Sequence, residues 1–244
     1  MKTYLLAPLL LVMLASVPGT ADSITSTPEL TDADEIRIGA ALAKDFERQE
    51  GMAPTPQSIK LNAYLQSVGD KVAVGAKRKL PYRFHFDPSP GFRSAVGLPG
   101  GQIYVGAGIL AYSDSEDQLA VVLGHEIEHV DLSQCRERLI KVLAEQHLTA
   151  KDGEKLKVDP FLDGYGHDNE FAADREGVLL AMRAGYSADA GIRLLQTFII
   201  LGEQMPNTSS EAKENLQARI AQIRGVRDAS GLPKPAKEKP LALP

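Results

Sequence analysis

The sequence predicts an α+β fold, mostly helical, with a small antiparallel sheet packed beside one buried helix. Three observations point there. Apolar residues recur at helical spacing along most of the chain, as in Ile36, Gly39, Ala40, Ala43 and Phe46. Strand-like alternation and turn signals are confined to Tyr82–Asp87 and Ser94–Leu110. The stretch from Leu119 to Leu132 is apolar on nearly every side, so the helix it forms must be buried.

The chain has 244 residues, 43% hydrophobic and 24% charged, which suits one globular domain with a sizeable core. A net charge of −5 offers no electrostatic reason for nucleic-acid binding, and none is expected. At the N-terminus, Lys2, the apolar run Leu5–Val17 and the small residues Gly19 and Ala21 read as a secretory signal peptide over 1–21. That run is shorter than the roughly 20 residues a membrane span needs. No later stretch is long and apolar enough either, so the mature chain is expected without a stable span, in the periplasm or secreted. The domain is expected over 22–228, and the Pro- and Lys-rich 229–244 as a disordered tail.

Within the domain, Thr31 is placed to cap a helix running to Gln49, and a second helix follows over Gln57–Gly75. Tyr82–Asp87 alternates as a strand and holds His85, read as a strand residue rather than a ligand. Ser94–Leu110 reads as two short strands around Pro99-Gly100-Gly101, a hairpin. Its second strand, Ile103-Tyr104-Val105, is a candidate for pairing with an extended substrate backbone. Ser113 with Glu116, or Ser115 with Gln118, can box the start of the central helix, which is expected to reach about Gln134. Cys135–Leu148 is a further helical stretch, either continuous with the central helix or after a kink, with Cys135, the only cysteine, as a small buried hydrophobe. Thr149–Gly166 is polar and Gly-rich and reads as a mobile surface loop. A further helix starts at Asn169 and ends at Gly185, and two more cover Ala188–Met205 and Ser210–Arg224.

The central helix contains His125-Glu126-Ile127-Glu128-His129, the pattern His-Glu-x-x-His. On a helix the two His lie one turn apart on one face and can hold one zinc ion, Zn2+, per chain. Glu126 is rotated by about 100°, so it can act on a water at the metal without being a ligand. A buried helix with two His and two Glu must satisfy them, because an unpaired buried polar group costs about 1–3 kcal/mol. A catalytic zinc commonly takes three protein ligands and a water. Glu170 is the expected third ligand, and Asp174, one turn on, can accept a hydrogen bond from a ligand His. His167 is the rival ligand, or a group that touches substrate or oxyanion.

Four pieces in order then resemble the HtpX-like and CAAX-prenyl-protease-like zinc metalloendopeptidases, peptidase family M48, most closely the soluble periplasmic bacterial members. They are Leu98-Pro99-Gly100-Gly101-x-Ile103-Tyr104-Val105, Leu119–Val130 around the two His, Glu170-x-x-Ala173-Asp174-Arg175-x-Gly177, and Ala184-Gly185-Tyr186. The resemblance covers roughly Thr31–Ile223. It implies a gluzincin-like domain, zinc on His125, His129 and Glu170, Glu126 as the catalytic base and Asp174 behind a ligand. Arg219, in Arg219-Ile220, becomes a candidate for stabilising the oxyanion. Glu128 departs from the family, which usually has a small residue there. The family's His-Pro near that Arg-Ile is also missing from Pro206-Asn207-Thr208-Ser209. The implied activity is hydrolysis of peptide bonds in exported, unfolded or misassembled envelope proteins. The rival reading from another class is a binding protein that keeps zinc only for structure.

Overall fold

The computed structural model describes residues 30–89, 92, 94–203 and 210–244. The signal peptide read at 1–21 and the segment 206–209 lie outside the described residues. Helix α1 (Asp32–Gln49) starts where the Thr31 hydroxyl accepts from the Asp34 N–H while the Asp34 carboxylate accepts from the Thr31 N–H. Helix α2 (Pro56–Ala73) begins the same way, with Thr55 and Ser58. Strand β1 (Arg83–Asp87) lies along α2. Phe84 fills the space beside Gly69, where a Cβ would stand 2.3 Å from its ring. The N–H groups of Phe84 and Phe86 donate to Gln66 Oε1 and Asn62 Oδ1, at 3.2 and 2.7 Å, so side chains of α2 close the outer edge of β1.

Strands β2 (Ala95–Leu98) and β3 (Gln102–Gly106) form the expected antiparallel hairpin. Gly100 and Gly101 sit at φ 74° and 88°, where a side chain would be strained. The sheet is mixed, however, in the order β1-β3-β2, with β1 parallel to β3. The hairpin leaves one side of β3 free, and α2, not a tight turn, sets the direction of the strand that fills it. This overturns the substrate-pairing role expected of Ile103, Tyr104 and Val105. They belong to the central strand, are fully buried, and have a neighbour on each side.

A short helix α3 (Ala107–Tyr112) leads to the central helix α4 (Glu116–Asp131), capped by Ser115 and backed by Gln118. Helix α4 stops earlier than expected. Ser133 turns the chain at φ 66° and α5 (Gln134–Glu145) departs in a new direction. Helices α6 (His167–Arg183), α7 (Ala188–Glu203) and α8 (Ser210–Ala229) follow. One apolar cluster joins α2, β1 and α4, a second joins α1, β2 and α5, and a third binds α6 to α7 and α8. Among the described residues no helix is long and apolar enough to cross a membrane.

Two segments differ from expectation. The stretch 149–166 is not a free surface loop: Leu156, Val158 and Phe161 are buried in the second cluster, and Arg138 donates to the carbonyls of Phe161, Asp163 and Gly164. Its apolar residues are few but find a hydrophobic floor between α1 and α5. The tail at 229–244 lies along the fold rather than free of it. The Lys239 carbonyl accepts from the Glu116 N–H at 2.9 Å, and its N–H donates to Asp117 Oδ2 at 2.8 Å. Leu241 packs on the first cluster and Glu238 pairs with Arg193. The first turn of α4 has N–H groups without helical partners, and the tail supplies one of the acceptors.

Candidate metal centre

Helices α4 and α6 cross at two glycines. A Cβ on Gly124 would stand 2.4 Å from the Gly177 carbonyl oxygen, and one on Gly177 would stand 2.6 Å from the His125 nitrogen. That close approach brings the Glu170 side of α6 over the His125–His129 face of α4. The Nε2 atoms of the two imidazoles face each other at 3.0 Å. Glu170 Oε2 lies 3.3 Å from His125 Nε2, and Oε1 lies 3.8 Å from His129 Nε2. Ligand atoms held tetrahedrally by zinc bonds of 2.0–2.1 Å are about 3.3 Å apart. These three side chains can hold a metal ion.

The far side of each imidazole is occupied. His125 Nδ1–H donates to Asp174 Oδ1 at 3.0 Å, and His129 Nδ1–H donates to Gln134 Oε1 at 2.6 Å. Both Nε2 lone pairs are thereby turned toward the shared point. Asp174 is in turn held by Arg219, whose Nε and Nη2 reach its two oxygens at 2.6 and 2.8 Å. Arg219 Nη1 stands 3.7 Å from Glu170 Oε2. Arg219 is therefore buried against carboxylates, not a solvated charge on a helix.

The electrostatics suit a cation at the centre. Burial opposes a charge on His125, but its bonds to Asp174 and Glu170 prevail and lift it to about 9. His129, buried and beside His125, is pushed down to about 3. A divalent ion between the two facing nitrogens would take the place of the proton that charges His125 and meet the lone pairs of two neutral imidazoles. Burial alone would raise Glu170 and Asp174. The bond to His125 for Glu170, and to Arg219 and then His125 for Asp174, hold both at about 2.

Glu126 opens into the same cavity of about 400 Å³ as the three ligand candidates. Burial pushes its carboxyl up to about 7, with His125 opposing and Glu170 adding to the rise. The backbone N–H of Gly97 favours the charged carboxylate and so works against that rise. A Cβ on Gly97 would come within 3.0 Å of the Glu126 carbonyl oxygen, so only glycine lets β2 lie this close. The apolar part of the cavity wall comes from Val121 and Val122 of α4 and from Leu194, Leu195 and Phe198 of α7.

His167 does not join the centre. It stands exposed in the first turn of α6, stacked on Phe171 at 4.2 Å and bonded to Asp168, so neither the rival ligand role nor a substrate or oxyanion contact is supported. Glu128 is buried away from the cavity, near Asp131 and Glu176, and burial pushes it up to about 7. Sequence reasoning missed Gln134, Gly97 and Tyr165. Gln134 carried a faint signal, a buried polar residue at a helix start. Tyr165 carried another, a lone aromatic between Gly164 and Gly166. Gly97 carried none, because its role is a close approach between distant segments.

A model of peptidase family M48 matches residues 60–226. The beta-barrel assembly-enhancing protease of Escherichia coli (strain K12) is 24% identical over 222 residues, covering 78% of this chain and 45% of that protein. The protein of the same name from Yersinia pestis is 23% identical over 230 residues, covering 80% and 46%. The chain spans about half the length of the curated relatives it matches.

Proposed function

The chain belongs to peptidase family M48, and we propose that it acts as a zinc-dependent metalloendopeptidase on exported, unfolded or misassembled polypeptides of the cell envelope. The observation that carries this reading is the convergence of His125 Nε2, His129 Nε2 and Glu170 beside the Glu126 carboxylate, within one cavity. Zinc would be held by those three residues and would supply Lewis acidity to the scissile carbonyl and the attacking water.

The chain's own residues do the rest. Glu126 takes a proton from the attacking water and passes it to the leaving amine. Gly97 N–H holds the Glu126 carboxylate in place. Asp174 fixes the tautomer of His125, and Arg219 keeps Asp174 ionised and oriented. Arg219 is a positioning residue in this scheme, since its Nε and Nη2 are taken by Asp174.

Substrate pairing moves from β3 to β2. The Gly97 backbone is turned away from β3, its N–H toward the Glu126 carboxylate and its carbonyl accepting from Cys135 Sγ at 3.4 Å. Residues two apart in a strand direct backbone groups to the same side. Ala95 is thus the rung of β2 that faces the cavity; its carbonyl accepts from the Ser94 hydroxyl at 3.1 Å, an exposed contact that an extended peptide would displace on pairing there. The beta-barrel assembly-enhancing name of the relatives and the signal peptide read in the sequence support a periplasmic site of action.

The test is incubation of the purified mature chain with a denatured polypeptide such as casein, with and without a zinc chelator. Chelator-sensitive cleavage, restored by zinc, is the expected result. Zinc bound tightly without cleavage of any unfolded substrate would favour the structural-zinc reading instead.

A further inference from the structure

Tyr165 touches both helices of the metal centre. Its ring stacks on the His129 imidazole, centroids 4.3 Å apart and planes inclined by 24°. The Arg138 guanidinium lies over the Tyr165 ring at 3.8 Å from its centroid. Its backbone N–H donates to Glu170 Oε1 at 3.2 Å, and its hydroxyl donates to Cys135 Sγ at 3.1 Å. Arg138 also donates to the carbonyls of Phe161, Asp163 and Gly164, so the segment leading to Tyr165 is stapled to α5. Asn169, next to Glu170, closes the circuit: its side chain donates to the Tyr165 carbonyl, and its own carbonyl accepts from Gln134, the partner of His129.

Given the metal-binding role proposed above for His129 and Glu170, on which this rests, we propose that Tyr165 is a positioning residue of the metal centre, clamped by Arg138. An imidazole on a helix can swing about its side-chain bonds. Gln134 fixes one ring atom of His129, and a second contact on the ring face is needed to fix its plane. The Tyr165 ring is that contact, held in turn by the Arg138 guanidinium over it. The same residue steadies Glu170 Oε1 through its N–H. Leu162, Asp163 and Gly164, just ahead of Tyr165, line the cavity. One wall of the substrate cavity is therefore tied directly to two ligands, and ordering of that wall and metal affinity are coupled.

The test is zinc affinity of the full mature chain, measured by competition with a chromogenic chelator, together with the visible spectrum of the cobalt(II)-loaded protein. Tyr165→Leu removes the stack and leaves the backbone N–H. It should weaken zinc binding roughly 10–100-fold and shift the cobalt bands. Tyr165→Phe keeps the ring and should stay within about twofold of the parent, a rescue that a purely structural hydroxyl would not give. Tyr165→Leu with parental zinc affinity and an unchanged cobalt spectrum overturns the proposal, whatever happens to its melting temperature. Should Tyr165→Leu fail to fold, Arg138→Gln carries the test, with weaker zinc binding expected and parental affinity refuting it. A parent chain that takes up no zinc sinks the metal-binding reading itself, whereas equal affinity of parent and variants sinks only the role of Tyr165.

Discussion

Glu126 is the side chain on which the proposed chemistry turns. Glu126→Gln keeps the shape and the Gly97 contact but cannot accept a proton. We expect zinc content to be unchanged and the cleavage rate to fall by at least about a hundredfold. A variant with full activity on casein would remove Glu126 from the mechanism. Cys135 makes a second prediction at this scale. Burial pushes its thiol up to about 12, and it lies between Gly97 O and Tyr165 Oη with no exposure to water. It should not react with a thiol reagent at pH 8 until the chain unfolds. Rapid labelling of the native protein would show that β2 and the Tyr165 segment open readily.

At the scale of elements, the contact between α4 and α6 decides whether the three proposed ligands meet. Gly177→Ala would put a methyl group 2.6 Å from the His125 nitrogen, and backbone cannot yield as a flexible side chain can. The helices must separate, at a cost of about 1–3 kcal/mol, and Glu170 is drawn away from the imidazoles. Lower stability in urea together with weaker zinc binding is expected, and a loss of neither would mean the helices can slide. The other end of α4 is pinned by Glu116. Burial would raise its pKa, but hydrogen bonds from Tyr186 at 2.8 Å and Tyr64 at 3.0 Å hold it below the usual value. A lowered native pKa means the stabilisation is fully present above the unfolded value of about 4.3 and is lost as pH falls through the native one. Glu116→Gln should therefore flatten the acid limb of the stability curve. A variant with the parent's slope below pH 5 would show that other carboxylates carry it.

At the scale of the molecule, the tail is part of the domain. Removing residues 230–244 leaves Asp117 without the Lys239 N–H, opens the Glu116 N–H, and strips Leu241 from the first cluster. Among the described residues, Asp117 then keeps only the Ser187 N–H, at 2.7 Å, as its partner. A fall in melting temperature of about 5–10 °C is expected for the truncated chain by calorimetry. A change under about 1 °C would mean that the tail merely rests on the surface. Arg193, on the helix that supplies Leu194 and Leu195 to the cavity, also loses Glu238. Loosening of that wall should raise KM more than it lowers kcat.

Much of the helical framework and the candidate metal-binding pair could be read from residues alone, because both depend on spacing along one helix. His125, Glu126 and His129 are placed by the 3.6-residue turn, and the Thr31 cap, the Pro99-Gly100-Gly101 turn and Gly185 are equally local. What the sequence could not decide is what distant segments do when they meet. The mixed sheet, the position of β2 at its edge, the stack of Tyr165 on His129 and the seating of the tail all depend on contacts between residues far apart in the chain. Residue spacing sets direction along an element. Only packing settles which backbone groups are already spent and which still face the cavity.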